Sequence, residues 1–283
     1  MCRMLVMIGH VVDFINQYGD VVNGLIKAAS NDPYGSRLYG EAKHSDGWGK
    51  VTLLGRLGGE SSLTVHRSVN PIYLDSLPNS PLSGLVNGDG VFIEMIHARA
   101  ASTGTPINLF STHPVHAVTS AGDEVYMIHN GSFRKEELIK VLGLGGWVET
   151  KYNDTFVANL ALARRVSSSI TIDDLRWLLG FMRTGANLGI MLVKQDMVQV
   201  IVGGYHARLN DGKDKERDDY YRLYWCRVGE SSLYASSTIV DYYKPHDLAN
   251  CEPLNNGEYH SYNVNLRTGE VEFNDRWLIS KLI

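Results

Sequence analysis

Met1-Cys2-Arg3-Met4-Leu5-Val6-Met7-Ile8-Gly9 begins the chain. Residues 5–8 are apolar at successive positions and stop at Gly9, as expected of a strand buried on both faces. Cys2 therefore stands at the head of a core strand. Methionine followed by a small residue is ordinarily removed, and loss of Met1 would give Cys2 a free α-amine. Such an amine titrates near about pH 8, so one residue then carries both a nucleophile and a group able to accept its proton. Taken alone, the cysteine is better explained as a small apolar residue starting a buried strand, or as an acylated thiol. Its company along the chain has to decide.

Outward from this strand, residues 11–29 carry apolar side chains near helical spacing, with a break expected at Gly19 and a stop at Asn31-Asp32-Pro33-Tyr34-Gly35. Strand patterns follow at 51–54, 63–66, 91–97 and 125–129. Three amphipathic helices are predicted at 135–142, 155–166 and 174–182; Ser132, Asn153 or Asp154, and Thr171 with Asp174 are the candidate N-caps. Strand patterns return at 189–194, 197–203, 222–227 and 232–236, and 263–273 reads as a hairpin turning at Thr268-Gly269. The charge-dense run 210–219 (NDGKDKERDD) reads as an exposed hairpin loop. Strands, helices and strands again predict one α+β domain over residues 1–283.

Composition narrows the choice of partners. With 27 basic and 31 acidic residues the formal charge is −4, which provides no electrostatic reason to expect nucleic acid. No apolar run approaches the roughly 18 residues that span a bilayer, and 4–8 is too short for a signal-peptide core. The three cysteines, Cys2, Cys226 and Cys251, cannot all pair and have no CxxC spacing, so a reducing, cytoplasmic setting is expected. Oligomeric state is not legible.

Chemistry concentrates in three runs. His97-Ala98-Arg99-Ala100-Ala101-Ser102-Thr103-Gly104 sets an arginine just past a strand that reads as buried. A guanidinium is costly to bury unless an anion meets it, and its fork suits a carboxylate, whether a ligand's or an internal Asp or Glu. His129-Asn130-Gly131-Ser132 is read as a strand end passing into a helix, with the Asn130 amide and the Gly131 N–H converging beside the positive helix end as an oxyanion hole. An ordinary Asn-Gly turn with a Ser cap fits the same letters. Asn153-Asp154-Thr155 is either a plain helix start or a place where Asp154 holds an ammonium.

Taken together and in order, Met1-Cys2, HARAAST from His97, Thr112-His113-Pro114, HNGS from His129 and NDT from Asn153 resemble the class II glutamine amidotransferases, in particular a small stand-alone subgroup. The DGWG segment at Asp46 also resembles that subgroup and is taken first as structural. The motifs cover most of the first 160 residues. The resemblance implies the four-layer αββα sandwich of N-terminal-nucleophile hydrolases, two mainly antiparallel sheets between helix layers. It implies Cys2 as nucleophile, Asn130 and Gly131 as oxyanion donors, Arg99 on the substrate α-carboxylate and Asp154 on its α-amine, with Ser102 and His113 as secondary pocket residues. No metal or cofactor is implied. The sequence departs from the family at Ala100, where several relatives have an aromatic residue, at Ser102 for Thr, and at Thr155 for Ser or Glu.

The expected reaction is hydrolysis of the glutamine side-chain amide through a thioester. The sequence beyond the matched region leaves no room for a large synthase domain and has no GxxxxGK[ST] phosphate loop, so ammonia is expected to pass to a separate synthetase or to solution. Hydrolysis of γ-glutamyl conjugates is the alternative substrate reading. Two rivals lie outside it. One is a metal hydrolase on His97, His113, His116 and His129, although the i, i+3 spacing of His113 and His116 points them to opposite faces of a regular strand. The other is a silent glutamine-binding subunit, which follows if Met1 is retained and the Cys2 nitrogen stays an amide.

Overall fold

The computed structural model describes residues 2–40, 42–56, 58–76, 90–245, 248 and 250–280. In chain order the elements are β1 (Cys2–His10), α1 (Val11–Phe14), α2 (Tyr18–Ser30), α3 (Pro33–Tyr39), β2 (Trp48–Gly55), β3 (Ser61–Ser68), β4 (Val91–Arg99), β5 (Val115–Val118) and β6 (Glu124–Phe133). Then come α4 (Lys135–Leu142), α5 (Trp147–Lys151), α6 (Asp154–Arg165), α7 (Ile172–Leu179), β7 (Met182–Lys194), β8 (Met197–His206), α8 (Asp214–Tyr221), β9 (Leu223–Val228), β10 (Ser231–Ser236), α9 (Ser237–Tyr243), β11 (Cys251–Pro253), β12 (Glu258–Asn265) and β13 (Val271–Leu278).

β1 is buried along nearly its whole length because it has β10 on one side and β4 on the other, within a sheet ordered β11-β9-β10-β1-β4-β2-β3. A second sheet is ordered β13-β12-β8-β7-β6-β5, and every pairing in both is antiparallel. Side chains alternate along β1. Met4, Val6 and Ile8 join Ile93, Met95, Ile128, Met191 and Val200 in a core between the sheets. Leu5 and Met7 face the other way, packing with Phe14, Val21, Leu25 and Ile239 of α1, α2 and α9. On the far side of the second sheet, Leu138, Ala158, Leu162, Leu175 and Leu178 of α4, α6 and α7 close a third core. The layers are therefore helices, sheet, sheet, helices, which is the αββα sandwich expected from the motifs.

Arg3 breaks the apolar run of β1 and is fully buried on the helix-facing side. Its Nε and Nη2 donate to the Asp32 carboxylate at 2.7 and 2.9 Å, in the loop between α2 and α3. Asp32 also accepts from Thr238 Oγ1 (2.6 Å) and from the Tyr34 backbone N–H (3.1 Å), and lies 2.8 Å from His44 Nε2. Burial by itself raises the Asp32 carboxyl, but the Arg3 charge and the bonds from His44 and Arg3 outweigh it and hold the carboxyl far below the usual carboxylate range. This buried pair ties the start of β1 to α3 and α9.

Several local expectations change. The helical break falls at residues 15–17, where Gln17 N bonds Phe14 O, and Gly19 sits within the first turn of α2. Asn153 caps α6, and Thr171 with Asp174 forms a capping box on α7. Ser132 caps nothing: β6 runs on through His129-Asn130-Gly131 to Phe133, α4 starts only at Lys135, and Ser132 Oγ instead lies 2.8 Å from Thr184 Oγ1. The positive end of α4 therefore does not sit at Asn130. The charged run is not a hairpin loop but leads into α8, because Arg217 folds back on Asp211 and Asp214 while Tyr220 and Tyr221 become buried. Cys226 and Cys251 face each other on β9 and β11 and are joined as a disulfide, against the expectation of three reduced thiols. Among the described residues no helix is long and apolar enough to cross a membrane.

Removing one partner of a buried ion pair leaves the other charge uncompensated, which costs about 3–5 kcal/mol. Asp32→Ala is expected to lower unfolding free energy by about that amount in denaturant titrations at pH 7. The depressed folded pKa means that the contribution is complete above the unfolded carboxylate value of about 4. It is lost as pH falls toward the folded value, so the gap between wild type and variant should be constant at neutral pH and narrow in acid.

Candidate active site

Register places the nucleophile candidate beside the arginine. In the β1–β4 ladder Cys2 is opposite Arg99 and Met4 is opposite His97, so Cys2, His97 and Arg99 project from one face, toward the second sheet. Here they meet β6 at Asn130 and Gly131. Cys2, Arg99, Ser102, His113, Gly131 and Asp154 line one cavity of about 520 Å³, and Asn130 lies fully buried behind its wall. All seven residues singled out in the sequence thus come to one place.

The Cys2 nitrogen lies 3.0 Å from Asn130 Oδ1 and 3.0 Å from the Tyr220 hydroxyl. With its carbonyl end held by Cys2, Asn130 turns its Nδ2 away, and that buried donor has no partner among the described residues. Gly131 adopts φ +150°, and a Cβ there would fall 1.7 Å from Gly185 O. Only glycine fits between β6 and β7 at this point. Met1 lies outside the described residues, so its removal is not part of this geometry.

Arg99 is buried, yet no carboxylate stands within ion-pair distance of it among the described residues. Its guanidinium donates to two carbonyls, Pro106 O at 3.0 Å and Asp46 O at 3.4 Å. Burial lowers its pKa against the opposing pull of Cys2, Asp46 and Asp154. The DGWG segment is the frame for this arginine: Arg99 N donates to Gly47 O, Asp46 N donates to Arg99 O, and the Asp46 carboxylate accepts from Ala101 N at 2.7 Å. Gly49 packs so closely that a Cβ would meet His113 O at 2.2 Å. Asp154 has its Oδ2 on Phe133 N at 2.7 Å and its Oδ1 on Thr155 N at 2.9 Å. Ser102 sits exposed on the cavity lip.

Three histidines form a buried ladder behind the thiol. Asn153 Nδ2 is 3.1 Å from His113 Nε2, and His113 Nδ1 is 2.9 Å and 3.2 Å from the two ring nitrogens of His97. His97 Nε2 is 3.0 Å from His129 O, and a carbonyl only accepts, so that nitrogen carries a proton. His113 is held well below the usual imidazole range, first by burial and then by the charges of His97, His129 and Arg99. Burial alone would raise the Cys2 thiol; the His97 charge, the charge of the amino terminus, a hydrogen bond from His97 and another from the Ala100 backbone reverse this and bring it well below the usual thiol range. His116 lies apart, stacked on Tyr126. Among the described residues no three His, Cys, Asp or Glu side chains converge as a metal site would need.

Sequence reading missed Tyr220 and the part His97 plays beside the thiol. Arg3, a charge inside an apolar strand, was the available signal that a buried anion was waiting elsewhere. Nothing local marked Tyr220, whose place depends on how α8 crosses the end of β1.

No protein-family profile and no curated protein matches the sequence. Solved structures do. The glutamine phosphoribosylpyrophosphate amidotransferase from B. subtilis, complexed with ADP and GMP, is similar with a TM-score of 0.55 at 15% identity, over 94% of this chain and 47% of that one. A structure described as the allosteric regulatory enzyme of purine biosynthesis is similar with a TM-score of 0.52 at 15% identity, over 93% of this chain and 47% of that one. The fold is thus shared with these two solved structures. The chain spans about half the length of each of these two proteins.

Cys226 and Cys251 are paired, which leaves Cys2 as the free thiol. Alkylation of wild-type protein should therefore modify Cys2 alone and persist well below pH 8. Replacing His97 by Gln should move the alkylation profile to higher pH and slow the reaction at pH 6 by about tenfold or more, since the thiolate is the reacting form; an unmoved profile would show that His97 does not set the thiol.

Proposed function

We propose that the chain is a glutaminase domain of the class II amidotransferase type over residues 1–283, acting once Met1 has been removed. The observation that carries this reading is the joint presence, in one cavity, of a thiol held below its usual range and a buried guanidinium that no carboxylate meets among the described residues. A substrate bringing its own carboxylate completes that arginine.

In this reading glutamine binds with its α-carboxylate on Arg99 and its α-amine on Asp154, one charged anchor at each end of the amino acid. Ser102 and His113 complete the pocket. Cys2 Sγ attacks the carboxamide carbon while the Cys2 amine takes the thiol proton, and the tetrahedral oxyanion is received by Asn130 Nδ2 and the Gly131 N–H. The amine then gives the proton to the departing nitrogen, the C–N bond breaks, and ammonia leaves a γ-glutamyl thioester. Water, deprotonated by the same amine, attacks the thioester and releases glutamate with the thiol restored. The unpartnered Asn130 Nδ2 supports its share of this: a buried donor already desolvated has only the developing charge to bond. Ammonia passes to a separate acceptor protein or to solvent.

An electrophilic glutamine analogue should label mature protein once, at Cys2, and Cys2→Ala should abolish both labelling and ammonia release. Labelling elsewhere, or turnover by the Ala variant, would sink the mechanism. Intact mass also separates the silent-subunit reading, because a chain that keeps Met1 should not turn over glutamine. Asn130→Ala is expected to lower kcat by about a hundredfold or more with a smaller change in KM, as for loss of one oxyanion donor. Arg99→Ala should act chiefly through KM, because its carboxylate contact is made in ground and transition states alike.

A further inference from the structure

We infer that Tyr220, reaching across from α8, positions the α-amine of Cys2 by hydrogen bonding, and that Arg3 locks Tyr220 in place for this purpose. The inference rests on the reading of Cys2 as an N-terminal nucleophile and adds a residue that neither the motifs nor the fold comparison supplies.

The nitrogen of Cys2 has two oxygen acceptors at 3.0 Å, Asn130 Oδ1 and Tyr220 Oη. A peptide nitrogen has one proton to give, whereas a neutral amine has two and keeps a lone pair. Two fixed acceptors thus suit the amine: each takes one N–H, and the lone pair is left for the thiol proton. The Tyr220 hydroxyl works in both directions. It accepts from the Cys2 nitrogen and has its own proton to give, either to Cys2 O or to Asn130 Oδ1, each 3.3 Å away. Burial raises Tyr220 well above the usual phenol range, so it keeps that proton.

The ring itself has little freedom. The Arg3 guanidinium lies 4.0 Å from its centroid, and Tyr39 and Tyr221 meet it edge-on at 5.2 and 5.0 Å. Arg3 Nη1 also donates to Tyr220 O at 2.9 Å, and Ser237 Oγ donates to the same carbonyl at 3.2 Å. Hence the residue next to the nucleophile clamps the tyrosine that holds the nucleophile's nitrogen. The titratable groups around Cys2 are Arg3 on its own strand, His97 and Arg99 on β4, His129 on β6, and Tyr220 and Tyr221 on α8. Asp32 neutralises Arg3. An acceptor on the amine favours its protonated form, so removing the Tyr220 hydroxyl should lower the amine pKa as well as loosen its aim.

Tyr220→Phe keeps the ring under Arg3 and deletes only the hydroxyl. In mature protein labelled with ¹⁵N-cysteine, with Cys2 confirmed as the terminus by intact mass, the α-amine titration followed by NMR should move to lower pH in the variant. With glutamine, kcat should drop about tenfold or more while KM stays within about twofold, and the acid limb of the kcat profile should move down with the amine. A purely structural role would lower thermal stability yet leave the amine titration of the folded protein unchanged, and that outcome overturns the inference. Wild-type protein that releases no ammonia from glutamine instead overturns the assigned reaction, and the titration, which needs no substrate, still judges Tyr220. Should the variant not fold, a crystal structure of mature wild-type protein decides: a Cys2 nitrogen farther than about 3.5 Å from the Tyr220 hydroxyl makes no hydrogen bond and ends the proposal.

Discussion

The register of β1 against β4 is the constraint on which the site depends. Because side chains alternate along a strand, a slip of one residue would turn Cys2 toward the helices and Arg3 toward the opposing sheet. Two features hold the register. Met4, Val6 and Ile8 fill the core between the sheets while Leu5 and Met7 fill the core under the helices, and both sets are fully buried. Arg3, in the first of the odd positions, finds its only buried counter-charge at Asp32 among the described residues. Apolar alternation specifies the face, and the ion pair penalises the wrong one.

Most polar groups near the cavity are satisfied by protein atoms. Asp154 is occupied on both oxygens by backbone N–H groups, Asp46 holds the backbone of Ala101, and the histidine ladder pairs ring to ring and ring to carbonyl. Against this background two features stand out among the described residues: the orphan Nδ2 of Asn130, and Arg99, which donates to carbonyls and meets no carboxylate. A buried donor without a partner costs stability, and a buried charge met only by carbonyls stays uncompensated. Close backbone approaches frame both. Gly131 lets β6 and β7 meet where Asn130 turns inward, and Gly49 lets β2 lie against the His113 carbonyl.

The sequence by itself determined a good deal. Regular elements followed from periodicity and caps, since helix and strand spacing and the Asn153 and Thr171 caps are local properties. The motifs, by their order along the chain, singled out Cys2, Arg99, Ser102, His113, Asn130, Gly131 and Asp154 as one group, and they implied the layered sandwich that the two sheets form. Where local signals competed, the reading failed: Gly19 is tolerated in the first turn of α2, Ser132 lies in a strand, and the run 210–219 leads into a helix from Asp214 in which Arg217 pairs with Asp211 and Asp214. Only the tertiary structure decided that Cys226 meets Cys251 across two short strands, that Asp32 receives Arg3 and that Tyr220 reaches the nitrogen of Cys2. These are contacts between residues far apart in the chain, in the last case by 218 positions. Local propensity says nothing of such distances; the packing of α8 over the end of β1, which depends on the whole sandwich having formed, sets them.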